Sequence, residues 1–352
     1  MDLTKEQKYV IYNLVKNARS GTEIQTLGGY AGTGKTVVVR YLKHFLPNYA
    51  VAAYTGKAAA ILRKKGVQAT TIHSLIYHPL TDRHGNVHFV LVDKDNINCD
   101  GFIIDEASMV SEEIYEDLMS FGLPIIFVGD HGQLEPVNSD FNLMANPMYK
   151  LETIHRNAGE IAQFANILRE GYPARSFKPK TGAVKLLWPN QVNNQLMNSE
   201  DQIICAFNKT RVEINNRIRA FRGYQNLIER GEKIICLRNN RQLALFNGIQ
   251  GIVLDYYKER KKNFIDFQFE DFIYNKVSID INQFGKETNE FEFSKDSPNP
   301  FDYAICITTH KSQGDEWDKV MVIEQRSKKW DHRRWAYTAA SRAREHLDWV
   351  LG

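Results

Sequence analysis

Residues 29–36 read GYAGTGKT, and the fold of the chain can be inferred from this segment outward. It fits the phosphate-loop pattern G-x-x-x-x-G-K-[ST], between a predicted strand at residues 24–27 and a predicted helix at residues 35–45. Glycines in such a loop let backbone N–H groups converge on phosphate oxygens, and the helix N-terminus adds partial positive charge. The stretch therefore predicts that the chain binds and hydrolyses a nucleoside triphosphate, and we expect ATP.

Each group of this loop has an expected role. Lys35 is expected to reach the β- and γ-phosphates, and the Thr36 hydroxyl to ligate Mg²⁺. The other loop residues expected to hold the nucleotide are Gly29, Ala31, Gly32, Thr33 and Gly34.

A phosphate loop needs a carboxylate on a neighbouring strand to hold the metal ion, and FIIDE at residues 102–106 supplies two acids after an apolar run. Asp105 is expected to hold Mg²⁺ through water, and Glu106 to position and deprotonate the attacking water. Adjacent acids after a strand can also be simple helix-capping residues. Further along, Gln133 follows another predicted strand, where it either senses the γ-phosphate or belongs to an ordinary surface loop.

Strands and helices alternate around these motifs. An amphipathic helix capped by Thr4 is predicted at residues 5–16, and further strands and helices follow at residues 50–54, 58–65, 102–104, 112–120 and 125–128. This spacing predicts a parallel sheet with helices on both faces. Alternating apolar residues around a turn within residues 77–98 predict a β-hairpin inserted into this first sheet.

A second α/β unit is predicted from residue 151. Its strands are expected at residues 202–206, 303–308 and 319–323. Between residues 226 and 300 short strands follow one another with turns between them, which predicts a small antiparallel barrel inserted into the second unit.

The amino-acid composition limits the classes of protein to which the chain can belong. The chain has 352 residues, 43% hydrophobic and 25% charged, which is typical of a soluble globular protein with two or more compact units. A net charge of +3 is compatible with a nucleic-acid partner without arguing for one, and the basic clusters at residues 63–65, 260–262 and 326–334 are equally typical of solvated surfaces. The sequence shows neither a signal peptide nor an apolar run long enough for a bilayer, so we expect a cytoplasmic protein, in the host cytoplasm if phage-encoded.

The four cysteines are widely spaced and match neither a zinc site nor a disulfide framework. Cys205, Cys236 and Cys306 stand in apolar surroundings and are predicted to be buried strand residues.

Taken together, the motifs resemble, in the same order, those of superfamily 1 DNA helicases of the RecD/Dda type (superfamily 1B), and especially the small phage Dda-like members. The resemblance runs from residue 3 to residue 347. It implies two RecA-like P-loop lobes, at residues 1–150 and 151–352, with a hairpin insertion at 77–98 and an SH3-like barrel insertion at about 226–300. It also implies an ATP-dependent enzyme of replication, recombination or repair that moves 5′ to 3′ on single-stranded DNA and unwinds duplex.

The resemblance assigns further roles at the nucleotide. LTKEQ at residues 3–7 is similar to the adenine-recognising segment, which would place Gln7 at the base edge. Arg156 would contact the γ-phosphate, Arg342 would be the arginine finger, and Glu316 would lie near the ribose. Gln133 would link the γ-phosphate to the DNA track.

It also assigns a DNA side. The residues expected to contact the single strand are Thr55, Lys57, His73, Thr309 and His310. Phe89, near the centre of the predicted hairpin, is a candidate wedge for separating strands, although it is as well explained as a residue that packs the hairpin onto the sheet.

Partners and alternatives follow from the same motifs. The expected partners are single-stranded DNA, duplex junctions and a single-strand-binding or replication protein, with the chain acting as a monomer and no membrane involved. A translocase or remodeller that moves without strong unwinding remains open, because its motor residues would be the same. A P-loop small-molecule kinase also remains open; single-stranded DNA would not stimulate it.

Overall fold

A computed structural model describes residues 3–81, 87–134, 141–153, 159–238, 240, 243, 245, 247–269, 272–288, 297–328 and 330–352, with the backbone alone at residues 57, 79–81 and 87–89. In the part of the chain it describes, the protein contains two parallel sheets, a separate hairpin and a closed barrel. The predicted α/β class with a hairpin and a barrel is confirmed.

The first lobe is built on a parallel sheet with strand order β3-β2-β6-β7-β1-β8. Its central strands are buried along their whole length, as expected where helices cover both faces of a sheet. The strands of the first lobe, including the hairpin, are β1 (Ile24–Gly29), β2 (Tyr49–Ala53), β3 (Thr70–Thr71), β4 (Tyr77–Thr81), β5 (Val87–Leu91), β6 (Gly101–Asp105), β7 (Ile125–Gly129) and β8 (Tyr149–Leu151). Its helices are α1 (Lys5–Arg19), α2 (Lys35–Phe45), α3 (Gly56–Lys64), α4 (Ile72–Ile76) and α5 (Glu112–Met119).

Local chemistry explains where helices begin. The Thr4 side chain accepts a hydrogen bond from the backbone N–H of Gln7, and the Gln7 side chain accepts one from the backbone N–H of Thr4, which forms a capping box at the start of α1. Thr55 caps α3 in the same way by accepting from the backbone N–H of Ala58 at 3.2 Å. Because β2 ends at Ala53, this cap places Thr55 at the carboxyl edge of the first sheet.

The hairpin consists of β4 and β5, which pair antiparallel from Tyr77 opposite Leu91 to Thr81 opposite Val87. The two strands form a sheet of their own and do not join the first sheet, so the expected insertion is an appendage of that sheet. The turn that the sequence predicts between these two strands, with the sequence RHGN at residues 83–86, lies outside the described residues.

The second lobe is also built on a parallel sheet, with strand order β16-β10-β17-β18-β9. Its elements are α6 (Glu160–Arg169), β9 (Val184–Leu187), α7 (Asn194–Asn198), β10 (Gln202–Cys205), α8 (Asn208–Phe221), β11 (Lys233–Cys236), β12 (Gln250–Glu259), β13 (Lys262–Phe269), β14 (Phe272–Asp280), β15 (Asn299–Tyr303), β16 (Cys306–Thr308), β17 (Trp317–Ile323), α9 (His332–Ala340) and β18 (Ala343–Val350), of which β11–β15 form the barrel. Leu151, the expected first residue of this lobe, still pairs with Gly29 in the first sheet.

The expected strand at residues 303–308 is wrong as a single element. Tyr303 ends β15, which pairs with β11 in the barrel, whereas Cys306 begins β16, which pairs with β10 in the second sheet. Both pieces are fully buried, and the apolar run at residues 303–307 crosses the junction between them, so the hydrophobic pattern does not reveal the change of sheet. The barrel therefore extends past residue 300, and its closing pair, β14 with β15, is parallel.

The two lobes and the barrel each contain a cluster of buried apolar side chains. Cys205, Cys236 and Cys306 are fully buried free thiols in strands, as predicted. Across the described residues, no helix combines the length and apolar character that a membrane crossing requires.

Candidate active site

The phosphate loop lies where the sequence predicts it, between the carboxyl end of β1 and the first turn of α2. Gly32 and Gly34 adopt φ angles of 80° and 85°, which side-chain-bearing residues rarely occupy. These two glycines therefore give the loop the curvature that points backbone N–H groups inward. Thr36 follows Lys35 in the first turn of α2, at the positive end of the helix.

Lys35 is folded back on its own loop. Its Nζ donates to the carbonyl oxygens of Gly29 at 2.6 Å and Tyr30 at 3.2 Å, and it lies 3.7 Å from a carboxylate oxygen of Asp130. All three partners are oxygen acceptors around one cation. The site thus holds the lysine in a position from which phosphate oxygens can replace the loop carbonyls.

Asp105 and Glu106 stand at the carboxyl end of β6, where Asp105 is buried and Glu106 is partly buried. Glu106 has a φ of 55°, an uncommon backbone conformation for a side-chain-bearing residue and one often found at functional sites. Its backbone N–H donates to the Asp105 carboxylate at 3.0 Å. Among the described residues, no group donates to Oε2 of Glu106, which is fully shielded from solvent.

Burial and neighbouring charges shift the titration of these acids. Burial, together with the Asp105 and Glu316 carboxylates, raises the pKa of Glu106 to about 7, against the opposing pull of Lys35 and Arg342. Burial also raises the pKa of Asp105. The Glu316 carboxylate thus lies close enough to Asp105 and Glu106 to act on both acids electrostatically.

Arg342 enters the cleft from the second lobe, just after α9. It is almost fully buried and donates hydrogen bonds to the carbonyls of Thr338 at 3.0 Å and Asp315 at 3.1 Å. Its charge stabilises the ionised form of Glu106 across the cleft. The structure therefore brings together Lys35, Asp105, Glu106 and Arg342.

Tyr337 of α9 reaches the phosphate loop directly. Its hydroxyl accepts from the backbone N–H of Ala31 at 2.6 Å and donates to the Asp130 carboxylate at 2.6 Å. The next residue, Thr338, accepts from the backbone N–H of Leu134 at 2.8 Å. Helix α9 thus contacts both the phosphate loop and the loop that follows β7.

A second contact between the lobes involves Tyr30 of the phosphate loop. The Arg169 guanidinium at the end of α6 lies 4.0 Å from the centroid of the Tyr30 ring, which is within cation–π range. The His131 ring lies 4.3 Å from the same centroid. Tyr30 is therefore in contact with an arginine from the second lobe and a histidine from the first.

The two glutamines of the predicted site are both buried. The Gln7 amide N–H donates to the carbonyl of Thr33 at 3.1 Å, and its oxygen serves the capping box, so the side chain ties α1 to the phosphate loop. The Gln133 side chain is buried, and its Oε1 receives no hydrogen bond from the described residues. An ordinary exposed surface loop is therefore wrong for Gln133, whereas its contact with a γ-phosphate stays a prediction.

Comparison with known proteins agrees with this geometry. The AAA-domain family matches residues 2–186, and the UvrD-like helicase C-terminal domain matches residues 303–348. The first match covers more than half of the chain and includes the phosphate loop, and the second contains Tyr337 and Arg342. The chain belongs to the AAA-domain family, and its residues 303–348 resemble the C-terminal domain of UvrD-like helicases.

Relatives of the chain include the ATP-dependent RecD2 DNA helicase of Deinococcus radiodurans, 25% identical over 98% of this chain and 48% of that protein. The ATP-dependent DNA helicase dda of Enterobacteria phage T4 is 34% identical over 40% of this chain and 34% of that protein. The chain spans about half or less of the length of these relatives. A crystal structure of Bacteroides Pif1 bound to ssDNA shares the fold, with a TM-score of 0.55 and 20% identity over 99% of this chain and 92% of that chain.

On the expected DNA side of the chain, Thr55 and His73 both have partners within the protein. The Thr55 hydroxyl donates to the carbonyl of Gly314 at 3.3 Å, which links the two lobes. His73 stacks on Tyr77 with ring centroids 5.5 Å apart, and burial lowers its pKa to about 4. His73 is therefore neutral at physiological pH and can offer a phosphate a hydrogen bond but no charge.

The predicted phosphate contact of Thr309 does not hold for its side chain in this structure. Thr309 is fully buried, and its hydroxyl donates to the carbonyl of Cys205 at 3.2 Å. The reason is that Thr309 sits inside the turn after β16, where its hydroxyl satisfies a backbone carbonyl at the end of the neighbouring strand. His310 follows it at the edge of the sheet, and burial lowers its pKa.

Some predicted site groups fall outside what the structure describes. Arg156 lies outside the described residues, as do the side chains of Lys57 and Phe89. Their expected roles stay predictions.

Sequence reasoning missed the roles of Asp130, Tyr337 and Arg169. Asp130 and Tyr337 stand inside stretches that resemble helicase motifs, but neither has a spacing or pattern that shows its side chain at the phosphate loop. Arg169 ends an amphipathic helix, where a basic residue is an ordinary C-terminal choice. Only the packing of the second lobe against the first reveals these contacts.

Proposed function

We propose that the chain is an ATP-dependent DNA helicase that moves 5′ to 3′ on single-stranded DNA and unwinds duplex by hydrolysing ATP between its two lobes. The observation that carries this proposal is the position of Arg342, which belongs to the second lobe and whose positive charge acts on Glu106 of the first lobe, as that of Lys35 does. Because hydrolysis then needs groups from both lobes, its rate depends on the relative position of the two lobes. A motor requires this dependence of hydrolysis on conformation.

The residues present fit a triphosphate with a divalent cation. The phosphate loop has the backbone conformation that directs N–H groups at anions, and Lys35 adds a cation at the same place. Asp105 and Thr36 offer the carboxylate and hydroxyl oxygens that Mg²⁺ prefers, and a bound Mg²⁺ would neutralise charge on the phosphate oxygens. In the described ranges, no cluster of three or more His, Cys, Asp or Glu side chains could hold a metal by itself.

Each of this chain's own groups then has a task. Lys35 exchanges the carbonyls of Gly29 and Tyr30 for phosphate oxygens. Glu106 has a buried carboxylate oxygen without a donor, as a group that accepts a proton from water needs. Arg342 supplies positive charge from the opposite side, where charge on the transferred phosphoryl group must be stabilised.

Contacts across the cleft support coupling of hydrolysis to movement along DNA. Thr55 of the first lobe bonds Gly314 of the second, and Leu134 bonds Thr338. Opening and closing of the cleft therefore remakes bonds at the carboxyl edges of both sheets, where the expected DNA contacts Thr55 and His310 lie. The names of the relatives, RecD2 and dda DNA helicases, support DNA as the track.

The test is ATP turnover with and without single-stranded poly-dT. We expect strong stimulation by DNA in the wild type, and loss of turnover in both Lys35→Ala and Arg342→Ala. Because an arginine finger contributes about 10³ to 10⁵ in rate, Arg342→Ala should lose roughly three orders of magnitude while it keeps much of its ATP binding.

Arg344→Ala is the matched control, since Arg344 stands two residues away and pairs with Asp318 at 2.6 Å outside the cleft. It should hydrolyse ATP like the wild type. Turnover that single-stranded DNA does not stimulate would contradict the proposal and favour a small-molecule kinase.

A further inference from the structure

The hydroxyl of Tyr337 joins three parts of the active site that belong to different elements. It receives the backbone N–H of Ala31 from the phosphate loop and gives its proton to Asp130 after β7. Asp130 in turn lies 3.7 Å from Lys35 and accepts from the backbone N–H of Gly132 at 2.9 Å. One phenol of the second lobe thus controls the surroundings of the phosphate-binding lysine.

We propose that Tyr337 is a positioning residue for hydrolysis, which frees Lys35 for the phosphates by occupying Asp130 when the two lobes are together. The proposal rests on the proposed function, because it concerns the rate of hydrolysis at the same cleft.

The charges around Lys35 explain why such a residue is needed. Asp130 is 3% exposed, and a buried carboxylate without enough donors binds a nearby cation strongly. The Tyr337 phenol and the Gly132 backbone N–H both donate hydrogen bonds to the Asp130 carboxylate. These two neutral donors stabilise the carboxylate, which therefore attracts Lys35 less strongly. If the second lobe moves away, the phenol leaves with it, and Asp130 then competes with phosphate for the lysine.

The Tyr337 ring is held tightly by its neighbours and cannot move on its own. The proposed role therefore belongs to its hydroxyl group. The ring is completely buried and meets the Tyr30 ring edge-on, with centroids 6.2 Å apart. A Cβ atom added at Gly132 would lie 2.7 Å from the Tyr30 ring and 3.1 Å from the Tyr337 ring. Burial also raises the pKa of Tyr337 well above its usual value, so the phenol keeps the proton that it donates.

The main test compares Tyr337→Phe with Tyr303→Phe by ATP turnover at saturating poly-dT. Tyr303 is a matched control, because it is a buried tyrosine whose hydroxyl donates to the carbonyl of Leu227 at 2.6 Å, in the barrel. We expect Tyr337→Phe to lower kcat by roughly tenfold or more and to raise KM for ATP, because the freed Asp130 competes with phosphate for Lys35 both when ATP binds and during hydrolysis. Tyr303→Phe should keep the wild-type kcat.

A second substitution separates positioning from mere loss of structure. If the freed Asp130 holds Lys35 back, Asp130→Asn added to Tyr337→Phe should raise kcat again by several-fold, because the competing charge is gone. A structural defect would instead grow worse with the second change. If Tyr337→Phe does not fold, Asp130→Asn alone carries the test, and it should reduce the ratio of DNA-stimulated to unstimulated turnover.

Three results would overturn the inference: a wild-type kcat in Tyr337→Phe, a lower kcat in the double variant than in Tyr337→Phe, or an unchanged stimulation ratio in Asp130→Asn. Each can occur while Lys35→Ala and Arg342→Ala still abolish DNA-stimulated turnover. In that event the proposed function stands and only the role of Tyr337 fails.

Discussion

Single residues of this protein divide into those whose chemistry is local and those whose chemistry depends on packing. Lys35, Asp105 and Glu106 belong to the first kind, because a strand–loop–helix context already fixes where their side chains go. Tyr337 and Arg169 belong to the second kind, because only the approach of the second lobe gives them partners. The sequence predicts the first group by number and is silent on the second.

The carboxylate of Glu324 should make the stability of the folded protein depend on pH. Its buried carboxylate accepts hydrogen bonds from Trp349 at 2.9 Å and Arg326 at 2.7 Å and lies 3.1 Å from His332; despite burial, these partners lower its pKa to about 2. A lowered folded-state pKa stabilises the protein above the ordinary value near 4.5, and this stabilisation is lost as pH falls towards 2. At pH 7, Glu324→Gln should therefore unfold more easily than the wild type, by at most about 3 kcal/mol.

Thermal unfolding from pH 7 to pH 3 checks this expectation. The difference in melting temperature between wild type and Glu324→Gln should narrow as the solution becomes more acidic. Glu345→Gln, at an exposed position nearby in sequence, should match the wild type throughout. A difference that stays constant with pH would show that the carboxylate charge contributes nothing.

At the scale of elements, the pattern of the sequence predicts the type of most helices and strands, and packing decides how they are joined. The stretch at residues 303–307 is apolar throughout, yet β15, which closes the barrel, ends in it and β16, which enters the second sheet, begins in it. Both environments bury every side chain, so periodicity cannot separate them. The same limit explains Thr309, since a hydroxyl after a strand looks equally suited to a phosphate or to the carbonyl of a neighbouring strand.

The hairpin of β4 and β5 is the element that we expect to separate the DNA strands. It stands apart from the first sheet, as a strand-separating device needs to, and Phe89 lies at the backbone position opposite Pro79. Stacking on one base contributes about 1–3 kcal/mol, which is comparable to a DNA base-pair step of about 1.4 kcal/mol. We therefore expect Phe89→Ala to slow strand separation several-fold while ATP turnover on single-stranded DNA stays normal.

Phe45→Ala, at an exposed aromatic residue at the end of α2, is a control that removes a similar side chain away from the hairpin. It should leave both activities intact. Unchanged unwinding in Phe89→Ala would show instead that Phe89 only packs the hairpin.

At the scale of the whole molecule, each lobe has a hydrophobic core, and the junction between the lobes is both polar and apolar, because Leu134 of the first lobe is buried in the core of the second. One core packs around β1 and α2, and another around β17 and α9. Hydrogen bonds from α9 and from the turn after β16 cross between them. We expect such an interface to open and close by breaking these bonds and uncovering Leu134 while the rest of each core is kept, which is the property that a nucleotide-driven motor needs.

The most direct test of a motor that moves 5′ to 3′ is strand displacement from a duplex with one single-stranded tail. With ATP and Mg²⁺, the wild type should release the strand when the tail is 5′ and not when it is 3′, and Lys35→Ala should release none. DNA-stimulated ATP turnover without displacement from either substrate would indicate a translocase that does not unwind. Release from the 3′-tailed duplex alone would contradict the account.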